Sequence, residues 1–138
     1  MKERYLFRGK RIDNGEWVLG LLIWRDRIYI VDDFSSVFDI YEPTDLEEAI
    51  VDINTIGQCT GIKDKKDKLV FEDDIVDFMV PKIPDGLSVG LHVVQFNSST
   101  AMFRANKLND CGRWRSLFSG EFEVIGNIHD NPELLTEV

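Results

Sequence analysis

Three carboxylates stand in a row at Glu72-Asp73-Asp74, and an imidazole stands beside a carboxylate at His129-Asp130. Such sets can hold a divalent cation or work as paired acid and base. Each also has a plainer reading. Along a strand, neighbours point to opposite faces, so only Glu72 and Asp74 would share one. A carboxylate run at a hairpin edge keeps that edge soluble. No motif sets a Ser or Cys nucleophile beside His129, and a histidine at a strand end ahead of Asn131-Pro132 needs no catalytic role. His92 lies in an apolar run and reads as a satisfied, half-buried side chain. Of the two cysteines, Cys59 reads as buried and inert, and Asp110 beside Cys111 disfavours its thiolate. With no CxxC pair and only two histidines, the spacing of a structural zinc site is absent. Phosphate-loop, HExxH and GxSxG patterns are absent as well. We assign no catalytic residue, no metal site and no cofactor.

A second kind of set combines cations with an aromatic ring. Arg8, Lys10 and Arg11 lie near Trp17 in sequence; Arg104, Lys107, Arg113 and Arg115 lie near Trp114. Arginine and tryptophan together can stack on nucleic-acid bases or receive an anionic partner. The plainer reading is a Trp anchored in the core with its neighbours in water. The candidate binding residues are therefore Arg8, Arg11, Trp17, Arg104, Lys107, Arg113, Trp114 and Arg115. Against the nucleic-acid reading stands a net charge of −9 over 138 residues, which repels polyanions.

The elements that must position these residues are short strands. Tyr5–Ile12 reads as a mixed strand. Asp13-Asn14-Gly15 turns it, since Asn-Gly tolerates positive φ at both central positions. Glu16–Trp24 is nearly continuous in apolar residues, as for a strand covered on both faces, and Gly20 marks a bulge or close approach. Ile28–Val31 completes an antiparallel meander. Val37–Tyr41 reads as a short strand, Thr44 with Glu47 as a capping box, and Ala49–Ile53 as a strand. Asn54–Gly57 turns the chain into a central hairpin over 57–76, two apolar runs around the polar loop Lys63–Lys68. Asp74–Val80, Val89–Phe96, Ala101–Ala105, Trp114–Phe118 and Glu121–Ile128 follow as strands, with a loop at Lys82–Gly86. Asn131 and Pro132 cap and open a short terminal helix. Nine Phe, three Trp and three Tyr supply a core and argue against disorder. The pattern predicts a mainly β, antiparallel fold.

Three segments together resemble the YopX family. They are Phe7-Arg8-Gly9-Lys10-Arg11-Ile12-Asp13-Asn14-Gly15-Glu16-Trp17-Val18, Ile56–Lys65 continuing into Phe71-Glu72-Asp73-Asp74-Ile75-Val76, and Glu123–Leu135 with its Gly-Asn-Ile-His-Asp-Asn-Pro run. Their order and spacing match over nearly the whole chain. Asp73 departs from the pattern, which has glycine there; glycine suits a turn of positive φ, and Asp tolerates that better than most residues. The resemblance implies a β-rich phage or prophage protein of Gram-positive bacteria, with no activity to carry over to named residues. The Glu-Asp-Asp-Ile-Val run is also similar to the opening strand of small SH3-like barrels. We thus expect a β-meander over 1–56 and an SH3-like barrel-type subdomain over 57–138.

No secretory signal is apparent, and the longest apolar run, Val18–Trp24, is far short of the about 20 residues that span a bilayer. The expectation is a protein of the bacterial cytoplasm with reduced thiols. It would act without catalysis, by binding a host or phage protein or by forming a homo-oligomer. The alternative is a regulator that binds nucleic acid through the basic patch of its second half, if Arg104, Lys107, Arg113 and Arg115 form one face. Acidic mimicry of DNA would instead need carboxylates in rows at phosphate-like spacing.

Overall fold

The computed structural model describes residues 3–31, 50–79, 88–110 and 112–136. The strand expected at Val37–Tyr41, the capping box at Thr44, the loop at Lys82–Gly86, and Cys111 lie outside these residues. The fold is mainly β and antiparallel. Among the described residues ten strands form two five-stranded sheets, and the helical pieces are 3-10 turns. The chain divides into two compact units, Met1–Cys59 and Thr60–Val138.

In the first unit, β1 (Phe7–Lys10) and β2 (Trp17–Trp24) pair with Lys10 opposite Trp17 and Phe7 opposite Gly20. Gly20 keeps this register unbroken, so the expected bulge is not there. The joining loop is wider than a two-residue turn: Arg11 N–H donates to Glu16 C=O at 2.9 Å, and Glu16 N–H donates to the Asn14 side chain at 2.9 Å. Of Asn14 and Gly15, only Gly15 has positive φ, 72°. β3 (Ile28–Val31) pairs with β2 and is buried at all four positions. Its side chains feed two clusters: Ile28, Ile30 and Val51 on one side, Leu21, Tyr29 and Val31 on the other. The continuous apolar run of β3 reflects burial on both faces, whereas β2, expected to be covered on both, leaves Leu19 and Trp24 exposed.

The strand expected over Ala49–Ile53 is reduced to two isolated bridges, Tyr29 with Ile50 and Arg11 with Val51. Gly9 explains why Val51 can sit there: a Cβ on Gly9 would lie 3.1 Å from both Ile30 Cδ1 and Val51 Cβ. A 3-10 turn at Ile53–Thr55 follows, capped by Asp52. Thr55 Oγ1 then accepts from Lys10 N–H at 2.8 Å, tying the turn to β1. The start of β4 (Gly57–Lys63) pairs with β1 through Phe7–Gln58 and Arg8–Gly57.

The second unit holds the rest of β4, β5 (Leu69–Phe71), β6 (Asp74–Met79), β7 (Ser88–Asn97), β8 (Met102–Lys107), β9 (Trp114–Ser116) and β10 (Phe122–Asn127). β10-β6-β7-β8-β9 form one sheet in that order. Among the described residues β9 and β10 are its ends, so the barrel expected for this half is not closed. Its core is Val70, Val76, Phe78, Val94, Ala105, Leu117 and Phe122. β10 carries an irregularity between Val124 and Gly126. Phe122 and Val124, two apart before it, pack inward together, but Ile128, expected on the same face, falls in the turn beyond the strand. The terminal helix is a 3-10 turn, Pro132–Leu135, with Asn131 at its cap position. The Asn131 side chain does not cap it. Asn131 Oδ1 reaches back and accepts from Asn127 N–H at 3.1 Å.

Candidate interaction surface

The acidic run is built into the backbone. Glu72 and Asp73 form the tight turn between β5 and β6, so the expectation that Glu72 and Asp74 share a strand face does not hold. Asp74 is 1 % exposed, and its Oδ2 accepts from Phe71 N–H at 2.8 Å. Asp73 has φ of 72°, the left-handed conformation inferred from the glycine it replaces. Its N–H donates to Val94 C=O at 2.8 Å, and its C=O accepts from Ile128 N–H at 3.0 Å. Its carboxylate faces His129, whose Nε2 lies 3.2 Å from Oδ2.

His129 thus belongs to a clamp. Asn127 Oδ1 accepts from the N–H groups of His129 and Asp130 at 3.0 and 2.9 Å, and Asn127 Nδ2 donates to Asp130 at 3.1 Å. A side chain on Gly126 would overlap the Asn131 amide. The Gly-Asn-Ile-His-Asp-Asn-Pro run is a set of turn residues satisfying one another.

His92 is fully rather than half buried, 2 % exposed. Its Nδ1–H donates to Gly90 C=O at 2.9 Å, and its ring meets Phe78 edge-on, with centroids 5.0 Å apart. Burial pushes its pKa down; the Gly90 bond opposes this, and the cations of Arg115 and Lys107 add to it. Cys59 is fully buried, as expected.

Asp64 was not singled out in the sequence, yet it organises the polar loop of the central hairpin. Oδ1 accepts from the N–H groups of Lys66 and Lys68, both at 2.9 Å, and Oδ2 from Val124 N–H at 3.0 Å. Burial alone would raise its pKa, but these three donors hold it below the usual carboxylate range. Glu123 holds the same loop from outside through Lys66 and Lys65, the latter at 3.2 Å. The one signal in sequence was an Asp opening a charged loop, which is common in turns of no special role.

The cation–aromatic sets fall in different units. In the first, Arg8 and Lys10 flank Trp17, with 4.8 and 5.4 Å from their charged groups to the ring centre. Arg11 is held by a carboxylate. It makes a two-point pair with Asp13, Nε to Oδ1 at 2.9 Å, which lowers the Asp13 pKa. In the second unit, Arg104 lies 4.8 Å over the exposed ring of Trp114. Arg104 Nε donates to Asn106 at 3.1 Å, and Asn106 donates to Gln95 at 2.7 Å. Strand register puts Arg104, Asn106, Gln95 and Trp114 on one face. Arg115 lies opposite Ala105 and reaches over the Phe78 ring at 5.5 Å, on the other face with Lys107. Lys107 and Arg113 both approach Asp110, at 3.8 and 3.3 Å. Arg104 and Arg115 have no carboxylate partner among the described residues.

These features define a two-sheet, antiparallel β protein whose sequence signatures are structural turns and in which Arg104, without a carboxylate partner among the described residues, lies over an exposed tryptophan. The family model described as "YopX protein" matches residues 6–136, and the chain belongs to that family. It is similar in structure to protein EF1440 from Enterococcus faecalis, at 25% identity and a TM-score of 0.53, over 94% of this chain and 96% of that one. No curated protein matches it. Among the described residues no helix is long and apolar enough to cross a membrane.

Proposed function

We propose that this chain is a phage or prophage accessory protein of the bacterial cytoplasm that acts by binding another macromolecule, or a copy of itself, and not by catalysis. The observation that carries the reading is the Arg104–Trp114 stack. An exposed aromatic ring and a cation without a carboxylate partner among the described residues are kept together, while Lys107 and Arg113 nearby are paired with Asp110. The acid and base candidates have other work. Asp74 caps a turn, Asp73 and His129 tie the C-terminal clamp to it, and His92 is buried against Phe78.

The alternative is nucleic-acid binding by an SH3-like second half. Arg104 over Trp114 could receive a stacked base. Two observations favour a protein partner instead: the net charge of −9, and the division of Arg104 and Arg115 between opposite faces. The test is affinity capture from host-cell lysate, with and without nuclease, read by mass spectrometry. One protein retained after nuclease is the expected result. Retention that vanishes with nuclease would move the reading to nucleic acid.

A further inference from the structure

The two ends of the sheet β10-β6-β7-β8-β9 are treated differently. A sheet edge with bare N–H and C=O groups is a template for another strand. At β10 the template is already used. Phe122 C=O accepts from Lys65 N–H at 2.8 Å, and Val124 N–H donates to the Asp64 carboxylate at 3.0 Å. At β9 the groups remain open. Lys107 N–H donates to Arg113 C=O at 3.0 Å, so 107 and 113 form a bonded pair. Bonded and non-bonded pairs alternate in an antiparallel ladder, which makes Ala105–Arg115 the next bonded pair. Trp114 and Ser116, opposite Asn106 and Arg104, therefore turn their N–H and C=O groups away from β8. Among the described residues no strand pairs with that side.

The side chains on this edge select its occupant. A strand added at β9 would send neighbouring residues to opposite faces. One would meet Arg104 beside Trp114, and the next would meet Arg115, two cations without carboxylate partners among the described residues. A second copy is a poor occupant. Antiparallel β9–β9 pairing centred on Arg115 or Trp114 sets Arg115 opposite Arg115 or Arg113, and like charges directly opposite are unfavourable. The sheet's other edge, at β10, is already covered.

We propose that the β9 edge takes an extended segment of a partner protein as a further strand, one carrying two adjacent acidic residues that each face one arginine. This rests on the interaction reading above and names its surface and its ligand chemistry.

The test is fluorescence anisotropy with a labelled peptide of alternating Thr and Val around a central Glu-Glu pair, and a Gln-Gln peptide for comparison. We expect the Glu-Glu peptide to bind at least about tenfold more tightly than the Gln-Gln peptide. Ser116→Pro removes an outward N–H on an edge strand, where proline is tolerated, and should abolish binding of both. The pair Arg104→Glu and Arg115→Glu should lose the Glu-Glu peptide and gain a Lys-Lys one, a rescue that a misfolded variant cannot show. Equal binding of the Glu-Glu and Gln-Gln peptides, undiminished binding by Ser116→Pro, or displacement of the peptide by oligothymidylate would overturn the proposal. Lysate capture separates the two levels. A nuclease-resistant partner kept by wild type and Ser116→Pro alike sinks the edge and leaves the interaction reading standing; no retained partner sinks the edge and leaves self-association as the interaction reading.

Discussion

At the scale of single residues, the carboxylates Asp73 and Asp74, which looked like chemistry, close a turn. Asp64, which did not stand out in the sequence, does so most clearly. Its carboxylate takes three backbone donors, two from its own loop and one from β10. Asp64→Asn would turn an amide N–H toward one of these donors, and we expect a loss of about 2 kcal/mol, measured by urea denaturation. The pH dependence has a definite sign. Asp64 and His92 both have lowered pKa values in the folded chain. Each contributes stability that is present above its unfolded pKa and lost as pH falls through its folded one. Stability should thus decline first below about pH 6.5 through His92, and again below about pH 4 through Asp64. Urea midpoints for His92→Phe against pH should lack the first decline and keep the second. An unchanged first decline would mean that another group causes it.

Gly126 and Asn131 make a second residue-scale case. Gly126→Ala places a methyl group against the Asn131 amide and should cost about 2 kcal/mol. With Asn131→Ala already present, the same change should cost far less, so a thermal-melt double-mutant cycle measures the clash directly. Additive costs would place the strain elsewhere.

At the scale of elements, most strands were legible because alternation and β-branched runs report burial without tertiary knowledge. Trp17–Trp24, Ile28–Val31 and the central hairpin lie where the pattern puts them. The misses have physical causes. Ile50 and Val51 have strand composition, but isolated bridges to Tyr29 and Arg11 take them instead of a ladder. The Asn14-Gly15 loop is widened by the Arg11–Glu16 bond, which no two-residue motif foretells. The barrel expected from the Glu-Asp-Asp-Ile-Val run needed a closing strand pair, and closure is a long-range property that a local motif does not encode. Gly9 gives a test at this scale. Gly9→Ala must displace Ile30 or Val51, so we expect a loss of about 1–3 kcal/mol, seen as a lower urea midpoint. An unchanged midpoint would show that the first unit tolerates slack between β1 and β3.

At the scale of the whole molecule, the signature segments of the family coincide with turns and clamps: the β1–β2 hairpin, the Glu72-Asp73 turn, and the run from Gly126 to Pro132. Such residues set backbone turns, a role that Asp73 also fills at φ of 72°, and they say nothing about a ligand. The candidate site was legible only in part. The proximity of Arg104 to Trp114 joins residues ten apart through the β8–β9 register, whereas Arg11 and Arg113 are drawn off by nearby aspartates. Sequence clustering cannot separate these cases, because pairing depends on which face each side chain takes. The measurement that tests the account most directly is nuclease-treated capture from host lysate by the wild-type chain and by a chain carrying Arg104→Glu and Trp114→Ala, quantified by mass spectrometry. We predict one protein enriched by the wild type and reduced about tenfold or more on the variant. Equal capture by both chains, or capture that ends when nucleic acid is digested, would contradict it.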